Sequence, residues 1–250
     1  MFYINALAHQ VFLLLFYFAW KKINIRRLKT PTNELVKKNL IIAMLLGFVF
    51  DFFGYFFWLW LYESRNIIEY AVVVLATWII STPVMMAVYI DIEGLLEKII
   101  FKPMKFNINR KIYFILFFIS GIIFSFQGYL RFRDLQNNIT PQFFIIMLIA
   151  GIIAEESLLG ILRVETMFDK ILAGKYLVPL TIVIAGFFVG LIWELFNTQF
   201  RLWTYYNLPP GDILGIPIYV VGFYGVINYT YYNFCKIYNT SPFLSRGKPI

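Results

Sequence analysis

Two carboxylates stand where a carboxylate is costly. Asp51 lies in residues 47–62, GFVFDFFGYFFWLWLY, and Glu194 in residues 190–205, GLIWELFNTQFRLWTY. Six of these sixteen aligned positions are identical, and in both stretches the acid is followed at +9 by Trp and at +11 by Tyr: Trp60 and Tyr62, Trp203 and Tyr205. Two further acids, Glu155 and Glu156, sit in AGIIAEESLLGILR. A carboxyl group in apolar surroundings can hold its proton at neutral pH, so it can serve as a general acid, and an ionised neighbour can serve as the base. An acid inside a bilayer costs at least about 2.5–3.5 kcal/mol unless it faces a polar interior, so all four should point inward.

The elements that hold these acids follow from composition. Hydrophobic residues make up 60% and charged residues 14% of the 250, with a mean hydropathy of +0.72. A soluble domain carries about 25% charged residues. Seven apolar segments lie near 3–20, 39–61, 70–90, 112–130, 142–162, 177–200 and 213–235. Each approaches the roughly 20 residues that cross a bilayer as a helix. The expected fold class is all-α: a polytopic membrane protein of about seven transmembrane helices in a single domain, with no soluble domain in its short loops.

With alternate loops assigned to the cytoplasm from 21–38 onward, all of the 22 Lys and Arg fall on that side except Arg65, Arg131, Arg133 and Arg201. This bias predicts an outside N-terminus and a cytoplasmic C-terminus. The first apolar run lacks a basic segment before it and is followed by Lys21 and Lys22, so it reads as a retained span rather than a cleaved signal. The expected location is the cell membrane of a prokaryote. The net charge of +8 reflects these basic loops rather than nucleic-acid binding. One cysteine, Cys235, and one histidine, His9, exclude an internal disulfide and multi-Cys or multi-His metal centres. No P-loop, dinucleotide fingerprint or nucleophile elbow occurs. No metal and no cofactor is expected.

The matching stretches predict a parallel internal repeat, residues 1–90 and 142–235, joined by the span 112–130. Helix geometry read through to the tryptophans places Asp51 and Glu194 roughly 13 Å below Trp60 and Trp203. Helical spacing puts Trp193, Glu194, Asn197 and Arg201 on one face, and Asp51, Tyr55, Trp58 and Tyr62 on another. Acid, amide, phenol and indole over an apolar floor describe a pocket for a largely apolar molecule with one polar or reactive point. The candidate catalytic residues are Glu194 and Asp51, then Glu155 and Glu156. Trp193, Asn197, Tyr55, Trp58, Trp203, Tyr205, Trp60 and Tyr62 are candidates for ligand binding.

Each has a plainer reading. The acids can be structural glue between helices, with Glu155 or Glu156 partnered by Arg163. Trp60, Tyr62, Trp203 and Tyr205 are most simply aromatic-belt anchors, and His9 an interfacial residue. Pro83, Pro217 and Pro209–Pro210 read as kinks and turns. Asn138-Ile139-Thr140 matches a glycosylation sequon on the outer face.

The order Glu194, Trp203, Tyr205, Leu214-Gly215, Pro217, with Asp51, Trp60, Tyr62 and Pro83 as a poorer copy, resembles the membrane-embedded lycopene cyclase domain. The resemblance covers about 80 residues. In that family a Pro-x-Glu-Glu opens the next span; here Pro217 is followed by Ile-Tyr-Val and Pro83 by Val-Met-Met. The Trp-Glu-x-x-Asn element also resembles bacterial membrane proteins of unassigned activity. A microbial rhodopsin is excluded by the missing lysine in the last span, and a CAAX-type protease by the missing histidines. The resemblance implies cofactor-independent cyclisation of an isoprenoid by acid–base carbocation chemistry. The other readings are a proton-coupled transporter or lipid-handling protein, and a non-catalytic membrane subunit. The expected partners are the bilayer and a lipid or isoprenoid, with a homo-oligomer allowed.

Overall fold

The structure, a computed structural model, describes residues 2–24, 32–56, 59–63, 66–96, 108–133, 141–206, 211–213 and 215–237. Trp58, Pro209–Pro210, Leu214 and the Asn138-Ile139-Thr140 loop lie outside them. The chain is mostly helical and all-α in class. The long helices are α1 (Phe2–Asn24), α2 (Thr32–Phe56), α3 (Ile67–Leu96), α4 (Arg110–Arg133), α5 (Pro141–Ile161), α7 (Leu177–Phe200) and α8 (Ile218–Ile237). A short α6 (Met167–Leu172) separates α5 from α7. The long helices match the seven apolar segments in position. The ends differ by several residues: the second stops at Phe56 rather than continuing to 61, the third runs on to Leu96 rather than 90, and the last starts at Ile218 rather than 213.

Among the described residues two helices, over Arg110–Leu130 and Leu177–Phe200, are long and apolar enough to cross a membrane. Shorter apolar stretches occupy Ile4–Ala19, Met44–Tyr55 and Ile67–Ser81. Helix α4 leaves Phe118, Ile122, Phe126 and Tyr129 more than half exposed.

Packing is built around α7. It lies along α8 and also touches α3 and α1, while α2 packs on α3. Helix α4 rests on α5, which reaches the rest of the bundle through α8. At the α7–α8 crossing a Cβ on Gly186 would fall 2.3 Å from Gly225 Cα. The two backbones meet there, the close approach that small residues allow between membrane helices.

The described residues also include four short strands. Strands β1 (Trp60–Tyr62) and β2 (Trp203–Tyr205) pair antiparallel, with Trp60 opposite Tyr205, Leu61 opposite Thr204 and Tyr62 opposite Trp203. The two matching stretches thus end by pairing with each other. Strands β3 (Asp212–Ile213) and β4 (Ile216–Pro217) form a hairpin through Gly215 at φ +77°. Pro217 therefore stands just before α8, where a missing N–H costs nothing. Pro83 lies inside α3. The two prolines are not equivalent in place, contrary to the sequence match.

Candidate functional site

Helix α2 delivers Asp51 to the interior and then ends. Leu59 N–H donates to Gly54 O at 2.8 Å, turning the chain back into β1. The fold-back brings Trp60 and Tyr62 onto the acid: Trp60 Nε1 and Tyr62 OH donate to Asp51 Oδ1 at 3.2 and 3.0 Å. From α3, Trp78 Nε1 donates to Oδ2 at 2.8 Å.

The second half ends in a related way. Helix α7 stops at Arg201, whose φ of 46° is left-handed and whose N–H donates to Asn197 O. Asn197 Oδ1 then accepts from the N–H groups of Leu202 and Trp203 at 3.1 and 3.2 Å. This turn carries Tyr205 back to Glu194, where its hydroxyl donates to Oε1 at 2.5 Å. From α8, Tyr224 OH donates to the same oxygen at 3.0 Å. Asn197 Nδ2 approaches Oε2 at 3.4 Å. Trp203 Nε1 donates to Tyr205 OH at 2.6 Å.

Each half also clears space for its third donor with a glycine four residues before the acid. A Cβ on Gly47 would lie 2.4 Å from Trp78, and one on Gly190 would lie 2.8 Å from Tyr224. Trp78 and Tyr224 are the site residues that sequence reasoning missed. The signal available was the Gly47/Gly190 match, which marks a neighbour close above each acid.

Between the halves lies a cavity of about 60 Å³. Asp51 is on its wall with Trp60, Tyr62, Trp78 and Phe50 from the first half. The second half contributes Trp193, Trp203, Tyr205, Phe223 and Tyr224. Thr77 and Ser81 of α3 add hydroxyls. Glu194 is not on the wall: it is 1% exposed and sits behind Tyr205 and Tyr224. Asn197 is likewise set back and holds the turn.

Comparison with known proteins finds no match: no family model, no curated protein and no solved structure is similar to this chain. The site must be read from its own geometry.

Several sequence expectations are corrected by that geometry. Tyr55 does not join the Asp51 face: its side chain is 62% exposed on the outer surface, and the helix that was to align it with Tyr62 has ended by then. Trp60 and Trp203 are buried and folded onto the acids, not stationed 13 Å above them in an aromatic belt. His9 is fully buried rather than interfacial. It packs edge-on to Trp193 and Trp203 with ring centroids 6.1 and 5.9 Å away.

Glu155 and Glu156 form a separate centre in the α5–α8 seam. Glu156 accepts from the N–H groups of Met167 and Phe168 at 3.1 and 2.7 Å and from Tyr229 OH. Its charge sits on the free amides at the start of α6, the stabilising position for an anion. Thr230 Oγ1 donates to Glu155 Oε2 at 2.9 Å. Arg163 is exposed at the end of α5 with φ +62°, and Glu156 takes its donors elsewhere. Beside this centre, outside the apolar segments, Glu165 pairs with Lys170 and Lys175 at 2.7 and 2.9 Å. Partial burial pushes the Glu165 carboxyl up. Hydrogen bonds from both lysines, with the charges of Lys170 and Lys236, outweigh it and hold the group at about 2. Among the described residues no group of three or more His, Cys, Asp or Glu could hold a metal ion.

Proposed function

We propose that this chain is a seven-span protein of a prokaryotic cell membrane, N-terminus outside and C-terminus in the cytoplasm, built from two duplicated parallel halves. The cavity between the halves is an acid–base site for the reacting end of an isoprenoid-like molecule. The observation that carries this reading is the placement of Asp51 on an aromatic-walled cavity with Glu194 behind two phenols. It fits the cyclisation that the lycopene cyclase resemblance implies.

In that reaction Glu194 supplies a proton by way of Tyr205 or Tyr224, each phenol giving up its own proton and regaining one from the acid. The proton adds to a terminal double bond. The ring closes as a second double bond attacks the carbocation, whose charge is held by the indole and phenyl faces. The Asp51 carboxylate then takes a proton from the adjacent carbon, restoring a double bond. One proton enters and one leaves, so the product is an isomer of the substrate and no oxidant or reductant is needed. Return of the proton from Asp51 to Glu194 across the cavity completes the cycle.

A second reading, a proton-coupled transporter, is favoured by the cavity's size. At about 10–15 Å³ for each water-sized position, 60 Å³ accepts a few small groups. A ring-forming terpenoid end is larger, so cyclisation requires the walls to part on substrate entry.

The deciding experiment expresses wild type, Asp51→Asn and Glu194→Gln in lycopene-producing cells and separates the extracted pigments. Cyclised product from wild type, reduced about 10²–10⁴-fold by either substitution, is the expected result. No cyclised pigment from well-expressed wild type removes the cyclase reading and leaves transport.

A further inference from the structure

We propose that the cavity between α2, α3, α7 and α8 binds a small, fully N-alkylated organic ammonium group. This rests on the reading of the cavity as the ligand site, and not on the cyclisation.

The wall is unusual in its charge. Among the described residues Asp51 is its one acidic side chain, and no Lys, Arg or His is on it. The remainder is dominated by rings: Trp60, Trp78, Trp193, Trp203 and Phe223 among them. An aromatic face carries negative potential, and several faces around one point attract a cation, most strongly where water is excluded. A buried carboxylate then supplies the counter-charge that a cation in an apolar site requires. A neutral apolar ligand would use the rings but not the counter-charge that Asp51 can supply.

The hydrogen bonds narrow the class further. A carboxylate has about four acceptor sites, and on Asp51 three of them already serve Trp60, Tyr62 and Trp78. Ser81 Oγ donates to the carbonyl of Trp78. A primary ammonium brings three N–H donors that compete with those bonds at Asp51, whereas a trimethylammonium brings none. The size agrees: about four or five water-sized positions in 60 Å³ match the nitrogen and three methyl groups of such a head. The ammonium can be free or can be the head group of a lipid; the recognition chemistry is the same.

The test titrates the full-length protein, in a maltoside detergent without choline head groups, with choline and with 3,3-dimethylbutan-1-ol. These have the same shape and differ by the positive charge. Binding is read by tryptophan emission and by calorimetry. The expected result is saturable binding of choline at least about tenfold tighter than the alcohol, weakened about tenfold or more by Asp51→Asn. Equal binding of the two ligands, or no binding of choline, overturns the proposal without need of any variant. Choline binding unchanged in a folded Asp51→Asn protein overturns it as well. Repeating the titration in phosphatidylglycerol and phosphatidylcholine nanodiscs separates the sources. A curve displaced to higher choline only in the second assigns the site to a lipid head group, and an undisplaced saturable curve assigns it to a free ammonium. Choline binding without carotenoid cyclisation would keep this inference and remove the reaction; cyclisation without choline binding would do the reverse.

Discussion

The halves around Asp51 and Glu194 use the same spacing and different wiring. Asp51 receives two indole N–H groups and one phenol. An indole can only donate, so Asp51 is fixed as an acceptor, directly on the cavity wall. Glu194 receives two phenols and an amide. A phenol can donate or accept, so the bonds around Glu194 can reverse, and its contact with the cavity runs through them. The lesson is that one acid–Trp–Tyr pattern yields an acid held mainly by one-way donors on the cavity wall in one half and an acid set behind reversible phenols in the other. The switch is the partner from the next helix: Trp78 in the first half, Tyr224 in the second.

The comparison is broken most forcefully at the equivalent tyrosines. Tyr205→Phe removes a donor from Glu194 and also strands Trp203 Nε1, which has Tyr205 OH as its acceptor. Tyr62→Phe removes one of three donors from Asp51 and strands no donor bonded to it. At about 1–3 kcal/mol for a stranded buried group, Tyr205→Phe is expected to lower unfolding free energy by that amount more than Tyr62→Phe does. Denaturant unfolding in detergent measures it, and equal losses would erase the distinction between the halves.

A finer contrast uses the acids themselves. Asp51→Asn turns an amide N–H₂ toward obligate donors, so a donor is stranded at about 1–3 kcal/mol. Glu194→Gln meets phenols that can turn and accept, and the loss should stay below about 1 kcal/mol. Unfolding midpoints of the two variants at neutral pH test this; a Glu194→Gln protein as unstable as Asp51→Asn contradicts the proposed reversibility.

The smallest effect lies away from both acids and serves as their control. Glu165 has a folded carboxyl held near 2 against an ordinary value of 4.5. Its contribution is therefore complete above about 4.5 and is lost as pH falls toward 2. Because the group is 40% exposed, solvent screens the pairs and the gain stays within about 0–1 kcal/mol. Glu165→Gln should lower Tm by no more than about 2–4 °C at pH 7, with the gap to wild type closing below pH 4. A gap that widens on acidification would reverse the assigned sign.

Much of this was legible in the residues. The seven helices announce themselves through apolar length, and the buried face Gly190, Trp193, Glu194 and Asn197 of α7 follows from helical spacing alone. The acid–Trp–Tyr register also pointed to the residues that meet. What spacing could not convey was direction. Continuous apolar sequence through 57–61 extends a helical pattern, yet the chain turns after Gly54, which moves Trp60 and Tyr62 onto Asp51 and leaves Tyr55 outside. Trp78 and Tyr224 come from neighbouring helices, and nothing local to either acid names them. Glu156 looked like a reactive acid because its partners, the free amides of α6, belong to a short helix without an apolar signal.

One consequence concerns the order in which the chain is made. Every donor described for Asp51 lies within 27 residues of it and every donor described for Glu194 within 30, while the pairing of β1 with β2 joins positions far apart. A nascent chain released as far as α3 already holds all that Asp51 needs to be quiet in an apolar setting. The same is true of Glu194 once α8 emerges. Biosynthesis therefore never has to park a bare buried acid while it waits for the other half. The strand clasp then joins two stretches whose acids draw their donors from nearby in the chain.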